Sequence, residues 1–336
     1  MDSENRDLPP GSAAADGALA ARPLAATGPR QPAAEAGQPA SSQPPPGQPP
    51  PDQPEGGSSA RQARREHAGQ LLRSPTFIVG ALILLWWVAC ALAGRAFSPY
   101  NPVNGSLAQF NAPPSAAHWF GADSLGRDVF SRVLAGARDI LIIAPLATLL
   151  GTTVGTVVGL VQGYYRGAVD SIIGRLVDAV LALPVVIVAF LFIVALGPST
   201  LTLIIVIGFV FALLIGRTVR TAVLQERDLD YIAAARLRDE SSARIMFAEI
   251  LPNVFGPILV EFTVRLGYAI FAIATLSFLG FGIRPPTPDW GADIASSYQY
   301  LAAGYWWETL FPALAIASLV VAVNLIADSV EAVLIQ

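Results

Sequence analysis

Six long apolar runs leave this chain few ways to fold. They lie at residues 77–94, 140–163, 172–196, 201–216, 254–281 and 310–334. The hydrocarbon core of a bilayer is about 30 Å thick and offers no hydrogen-bond partners, so a segment crossing it must satisfy its backbone internally, as a helix does. The runs therefore predict an all-α membrane protein with six transmembrane helices. The fourth run is short for that thickness and is expected to extend into its flanks. Pro184, inside the third, predicts a kink whose freed carbonyl needs a partner. Composition agrees: 53% hydrophobic, only 14% charged, with a mean hydropathy of +0.53. A soluble chain of this length could not hide that much apolar surface in one core.

The chain divides at its composition shifts. Residues 1–60, typified by "GQPASSQPPPGQPPPDQPEGG", lack the apolar side chains needed to offset ordering entropy and are expected to form a disordered tail with polyproline II stretches. This tail is a solvated segment or, through its "PPP" runs, a docking site for a partner. It has no apolar core of the secretory-signal kind. Residues 61–75 form a basic juxtamembrane segment with Arg61, Arg64, Arg65 and Arg73, and residues 76–336 form the six-span domain. With the N-terminus inside, segments 61–73, 164–175 and 217–244 hold twelve arginines, against five in 95–138, 197–200 and 280–309. Basic residues concentrate on the cytoplasmic side, so both termini are expected there.

Several chemistries are excluded or disfavoured. All 21 basic residues are arginines, so no Walker A lysine and no Schiff-base lysine exists. Cys90 is alone, and His67 and His118 are far apart without cysteine neighbours, which argues against a zinc-type metal site. A net charge of −4 without a basic, aromatic-interleaved patch gives no sign of nucleic-acid binding. No nucleophile elbow, HExxH or carboxylate–histidine pattern occurs in a span, and the chain is not expected to be an enzyme or to bind a cofactor.

Between the fourth and fifth runs lies a polar island, residues 228–253, "DLDYIAAARLRDESSARIMFAEILPN". Its propensity is helical up to Arg238, with Ala233, Ala234 and Ala235 in series. Asp239, Glu240 and the two serines form a turn, Ser241 or Ser242 can cap a second helix from Ala243 toward Leu251, and Pro252 ends it. The island is expected to be two short helices with an elbow. On physics alone it is an interfacial connector or a protein-docking element in roughly equal measure.

The island resembles the EAA loop of bacterial ABC-importer permeases of the dipeptide/oligopeptide/nickel family. That family's pattern is Tyr-x-Glu-Ala-Ala-Arg-x-x-Gly, a short spacer with Arg-Ile, then His-x-Leu-Pro-Asn. Tyr231, Ala234, Ala235, Arg236, Ser241, Arg244, Ile245, Leu251, Pro252 and Asn253 match it in spacing; Ala233, Asp239 and Glu249 stand where the family has Glu, Gly and His. Segments 120–138, 163–184, 276–294 and 310–328 resemble further family signatures, so the likeness runs collinearly over about residues 75–330. It implies a type I ABC-importer permease fold in the bacterial cytoplasmic membrane, with 228–253 as an ATPase-coupling loop. It implies transport of di- or oligopeptides by alternating access, with nickel or another small solute as the substrate alternative. The implied partners are a homologous second permease, two ATP-binding subunits that carry ATP and Mg, an extracytoplasmic substrate-binding protein and membrane lipid. An ion-coupled secondary transporter and a non-transporting scaffold subunit are the rival classes.

The remaining polar groups in apolar context are few. Glu261 and Arg265, four apart in the fifth run, are a self-paired couple, a bridge to a sister subunit or a lining of the transport path. Asp128 and Arg132, also four apart, are expected on a short amphipathic helix, as a contact for the binding protein or as a solvated face. Trp119, Trp290, Trp306 and Trp307 fit an interfacial aromatic belt. Gly151, Gly155 and Gly159 make one smooth helix face, for packing inside the bundle or for a homodimer.

Overall fold

The computed structural model describes residues 74–334. The tail 1–60 and the basic segment up to Arg73 lie outside the described residues. Among the described residues there are two short 3-10 helices, Leu107–Gln109 and Tyr298–Ala303, and ten longer helices: α1 Pro75–Phe97, α2 Val129–Tyr165, α3 Gly167–Leu181, α4 Val185–Leu196, α5 Thr200–Glu226, α6 Asp230–Leu237, α7 spanning 242–253, α8 Phe255–Phe278, α9 Trp290–Ser297 and α10 Trp307–Leu334. Helices α1, α2, α5, α8 and α10 are each long and apolar enough to cross a bilayer, and counting the bent α3–α4 pair as one span gives six.

The third expected span is more sharply divided than a kink: α3 and the body of α4 meet at 89°. Pro184 has no N–H for the carbonyl of Val180 and its ring crowds the preceding turn, so the helix cannot run through. The orphaned Val180 oxygen is taken locally by the Leu183 N–H at 3.2 Å, without help from a neighbouring helix. The fourth expected run gains a turn and more beyond Gly216 and becomes the 27-residue α5.

Helices α2 and α5 form the spine of the bundle. They run parallel, because α3–α4 returns the chain between them. Every fourth residue of α2 at this contact is glycine, and each faces the same relative position of α5. A Cβ on Gly151, Gly155, Gly159 or Gly163 would meet the backbone oxygen of Gly208, Ala212, Gly216 or Arg220 at 2.9, 2.7, 2.7 and 3.1 Å. The glycine face is thus consumed inside the subunit and is not a homodimer surface. Where lipid supplies no hydrophobic drive between helices, such close backbone approach maximises dispersion contact and admits weak Cα–H···O bonds. Around this spine α1 packs on α2 and α10, and α8 packs on α10, α2 and α5. Large apolar side chains such as Leu82, Leu92, Leu191 and Phe271 face outward, as lipid or a second membrane subunit requires.

Two tryptophans assigned to an interfacial belt are instead internal. Trp290 is buried, donates its indole N–H to the Val133 oxygen at 2.8 Å and stacks edge-on with Trp87. Trp307 is buried and donates to the Ala122 oxygen at 3.1 Å. Trp119 and Trp306 are exposed.

Replacing Gly155 by Leu forces a side chain into the Ala212 carbonyl and is expected to cost about 1–3 kcal/mol, typical of overpacking. Thermal melting in detergent should show the loss, whereas Val157→Leu, on the exposed face of the same helix, should melt like the parent. Equal melting of all three proteins would contradict the backbone-contact reading.

Candidate functional site: the two-helix elbow and its anchors

The island is built directly onto the end of α5. After Glu226, Arg227 and Asp228 turn the chain and α6 begins. α6 ends in a Schellman turn: the Asp239 N–H bonds the Arg236 oxygen at 3.0 Å and the Glu240 N–H bonds the Ala235 oxygen at 3.3 Å. That turn requires a left-handed residue, and Asp239 supplies it with φ +55°. The position where the resembled family has glycine therefore keeps the glycine conformation, which aspartate tolerates better than most side chains. Ser241 then caps α7, its hydroxyl accepting from the Arg244 N–H at 3.4 Å.

α7 is continuous from Ser242–Arg244 through a π-helical stretch, Ile245–Ile250, into Leu251–Asn253. Pro252 was expected to stop it; the chain instead widens ahead of the ring, with the Leu251 N–H bonding the Met246 oxygen, and stays helical until Val254. A π-turn is one way to place a proline that lacks a donor.

One face of the elbow is anchored and the other is free. Ile232, Ala235, Ile245, Met246 and Ile250 are buried in the apolar core. Ala234, Arg236, Asp239, Ser241, Arg244 and Pro252 are exposed, Leu251 is half-buried, and Leu237 at 87% exposure and Phe247 at 48% present apolar surface outward. The entrance and exit are tied together. The Tyr231 hydroxyl donates to Glu226 Oε1 at 2.5 Å, and Asn253 Nδ2 donates to the Tyr231 oxygen at 2.8 Å and to the Glu249 carbonyl at 3.0 Å. Burial, and then the carboxylate it faces, push the Tyr231 phenol up to about 12.

A second set of bonds ties the elbow to the end of α2. Arg227 donates to the Gly163 and Tyr164 carbonyls, and the Arg236 guanidinium lies over the Tyr164 ring, 5.4 Å from its centroid. Arg166, at φ +54°, bonds Asp228 at 2.5 Å and holds its carboxyl below the usual carboxylate range. Sequence reasoning assigned no role to Tyr164, Arg166, Glu226, Arg227 or Asp228. The "GYYRG" run was visible, but its partners lie some sixty residues away.

At the opposite end of α2 the expectation for Asp128 and Arg132 is overturned. They are 2% and 4% exposed and do not pair with each other, so they offer no docking surface. Asp128 caps α2, accepting from the Ser131 N–H at 2.8 Å and its hydroxyl at 2.6 Å, and meets His118 Nδ1 at 2.8 Å. Arg132 grips Asp293 of α9 from Nε at 3.1 Å and from Nη2 at 2.5 Å, and donates to the Pro102 carbonyl at 2.9 Å. Burial raises the Asp293 carboxyl, against the lowering pull of Arg132. The carboxylate at the helix start turns inward because the orphan N–H groups need an acceptor, while Arg132 turns inward to the Asp293 carboxylate.

Within α8, Arg265 bonds Glu261 Oε1 from Nε and Nη2 at 2.7 and 2.5 Å and packs over Tyr268. The couple is self-paired. Arg265 also borders an apolar cavity of about 250 Å³ between α4, α5 and α8.

Asp239→Gly is expected to melt at or above the parent temperature, and Asp239→Val to lose about 1–2 kcal/mol of stability and melt below it, because a β-branched residue resists the left-handed region. For the Tyr231 bond the folded state raises an acid's pKa. Its stabilisation is therefore full below pH 10.0 and lost as pH rises toward about 12. Tyr231→Phe should show no such alkaline loss beyond the remaining tyrosines when melting is followed against pH. For the membrane couple, Glu261→Gln and Arg265→Gln should each destabilise more than the double variant does; additive losses in a double-mutant cycle would contradict the pairing.

Residues 155–336 match the family described as "Binding-protein-dependent transport system inner membrane component". The "Dipeptide transport system permease protein DppC" of Bacillus subtilis is 36% identical over 262 residues, covering 78% of this chain and 82% of the relative. The protein of the same name in Escherichia coli K12 is 38% identical over 265 residues, covering 77% and 88%. The "Di/tripeptide transport system permease protein DppC" of Pseudomonas aeruginosa is 36% identical over 258 residues, covering 75% and 85%. With five apolar crossing helices, a sixth made by a bent pair and an anchored polar elbow, this chain belongs to the inner-membrane permease components of binding-protein-dependent transport systems.

Proposed function

We propose that this chain is one transmembrane subunit of an ATP-driven importer that carries di- or oligopeptides across the bacterial cytoplasmic membrane by alternating access. The peptide assignment is supported by the names of the three relatives given above, each a dipeptide or di/tripeptide transport permease. In this reading both termini and the elbow face the cytoplasm, which the twelve arginines of segments 61–73, 164–175 and 217–244 support. A homologous permease, two ATP-binding subunits holding ATP and Mg, and an external substrate-binding protein complete the assembly. This chain itself binds no cofactor and hydrolyses nothing.

The observation that carries the reading is the tied elbow. Its buried face is continuous with the bundle, its outward face offers Leu237, Phe247, Arg238 and Arg244, and the Glu226–Tyr231–Asn253 bonds join it to α5. In this reading the elbow is the docking handle for an ATP-binding subunit. Closure of the ATPases moves the handle, and the bundle follows between inward- and outward-open states because each state is favoured by a different partner arrangement. A pre-ordered helical handle binds without the entropy cost of folding on contact.

Replacing residues 231–236 by a flexible Gly–Ser linker is the direct test. Co-purification with the ATP-binding subunits should fall at least tenfold, and peptide-stimulated ATP hydrolysis by the assembled complex should disappear. Unchanged association together with unchanged stimulation would overturn the assignment. Peptide uptake driven by an ion gradient with the ATPase sites disabled would overturn it in favour of secondary transport.

A further inference from the structure

The Glu261–Arg265 couple lies where a charge is hardest to keep. Ten residues of α8 precede Arg265 and thirteen follow it, so it stands near the middle of an apolar crossing helix. Self-pairing lowers the cost of the two charges without removing it. Charged side chains at that depth face protein or a water-filled cavity, not hydrocarbon. The Glu261 and Arg265 side chains are 15% and 21% exposed, so the subunit does not seal them in.

Glu261, Arg265, Tyr268, Ala272 and Thr275 recur at alternating steps of four and three residues and therefore share one face of α8. From Arg265 onward that face is a wall of the apolar cavity of about 250 Å³ between α4, α5 and α8. Val186 of α4, with Val210 and Phe211 of α5, supplies the other walls, and Tyr268 and Phe271 are exposed beside it. Every other α8 residue of the cavity lies C-terminal to Arg265, so the guanidinium stands at one end. Both of its bonds to Glu261 go to Oε1, and its Nη1 bonds nothing among the described residues. An apolar cavity with a few converging polar groups is the usual form of a small-molecule site. This one presents a guanidinium with donors to spare.

We propose, resting on the importer reading above, that this cavity holds the peptide in transit, with the peptide's terminal carboxylate on Arg265. The hydrogens of Nη1 and the remaining one of Nη2 receive the carboxylate, whose shape the planar fork matches. Glu261 keeps the fork aimed and its charge balanced while the cavity is empty. The apolar walls and the Tyr268 ring take a peptide side chain without selecting its identity. A lipid chain would fit those walls but offers nothing to the guanidinium, and lipid phosphates lie at the bilayer surface, not at its middle.

The probe is the dipeptide alanyl-p-benzoylphenylalanine, as free acid and as C-terminal amide. It is photolysed with the assembled transporter in nanodiscs, without ATP and without the binding protein, whose own selectivity then plays no part. The free acid should label the stretch Tyr268–Leu276, and the amide about tenfold less, the worth of one charge-assisted hydrogen bond. Removing both charges, Glu261→Gln with Arg265→Gln, leaves no lone carboxylate and should bring the acid down to the amide's level. Arg265→Lys should keep part of the preference. Ala272→Phe, which fills the cavity and keeps the charges, should abolish labelling by both probes, and melting verifies that each variant folds. Equal labelling by acid and amide in the parent would overturn the carboxylate site and mark a groove as open to lipid as to peptide. No labelling of α4, α5 or α8, while the complete system with its binding protein still takes up dialanine, would overturn the site alone. A parent that neither takes up dialanine nor is labelled would overturn the importer reading, and the site with it.

Discussion

Helices α2 and α5 touch through their backbones, and the rest of the molecule is arranged around that contact. Four glycines of α2 set the distance, and their constant offset along α5 sets a parallel register that a side-chain interface would leave looser. Because α2 is 37 residues long, about 55 Å at helical rise, the contact connects two distant polar regions. At one end Asp128 caps α2 and Arg132 grips α9. At the other, the ends of α2 and α5 hold the elbow between them.

The elbow is held by an economical set of groups. Its buried aliphatic side chains supply burial energy, and three polar links supply direction: Tyr231 with Glu226 and Asn253, Arg227 with the α2 carbonyls, and Arg166 with Asp228. The links differ in environment. The Tyr231 link is partly desolvated and stays protonated well into alkaline conditions, whereas Arg166 and Asp228 are solvent-exposed and contribute little by themselves. Orientation of the elbow therefore rests chiefly on the neutral phenol, on the part-buried Arg227 and on packing.

The parts that could be read in the sequence are those governed by local rules. Apolar run length exposed the spans, since lipid forces each crossing segment to close its own hydrogen bonds. The elbow's turn and a cap at Ser241 or Ser242 followed from short-range backbone chemistry, while the special position of Asp239 came from the resemblance, which has glycine there. What escaped notice was decided across long separations. Arg132 finds Asp293 161 residues later, Trp307 finds the Ala122 carbonyl 185 residues earlier, and neither partner has a local signature. For that reason Asp128 and Arg132 looked like an exposed amphipathic face, and Trp290 and Trp307 looked interfacial. Pro184 was visible as a disruption, but the 89° angle depends on how α4 settles against α5. The glycine face was legible as a face, though its partner was not.

Asp239 has one further consequence. A glycine in the left-handed region moves over a wide basin and makes a swivel; an aspartate carries a Cβ that confines it to a narrow one. With the Schellman bonds on one side and the Ser241 cap on the other, the two short helices form a bracket of set angle. A push on the outer face of such a bracket is not absorbed by bending at the corner. In the proposed docking role such a push would be delivered to α5, which the glycine seam holds against α2, whose far end carries the Arg132 grip on α9.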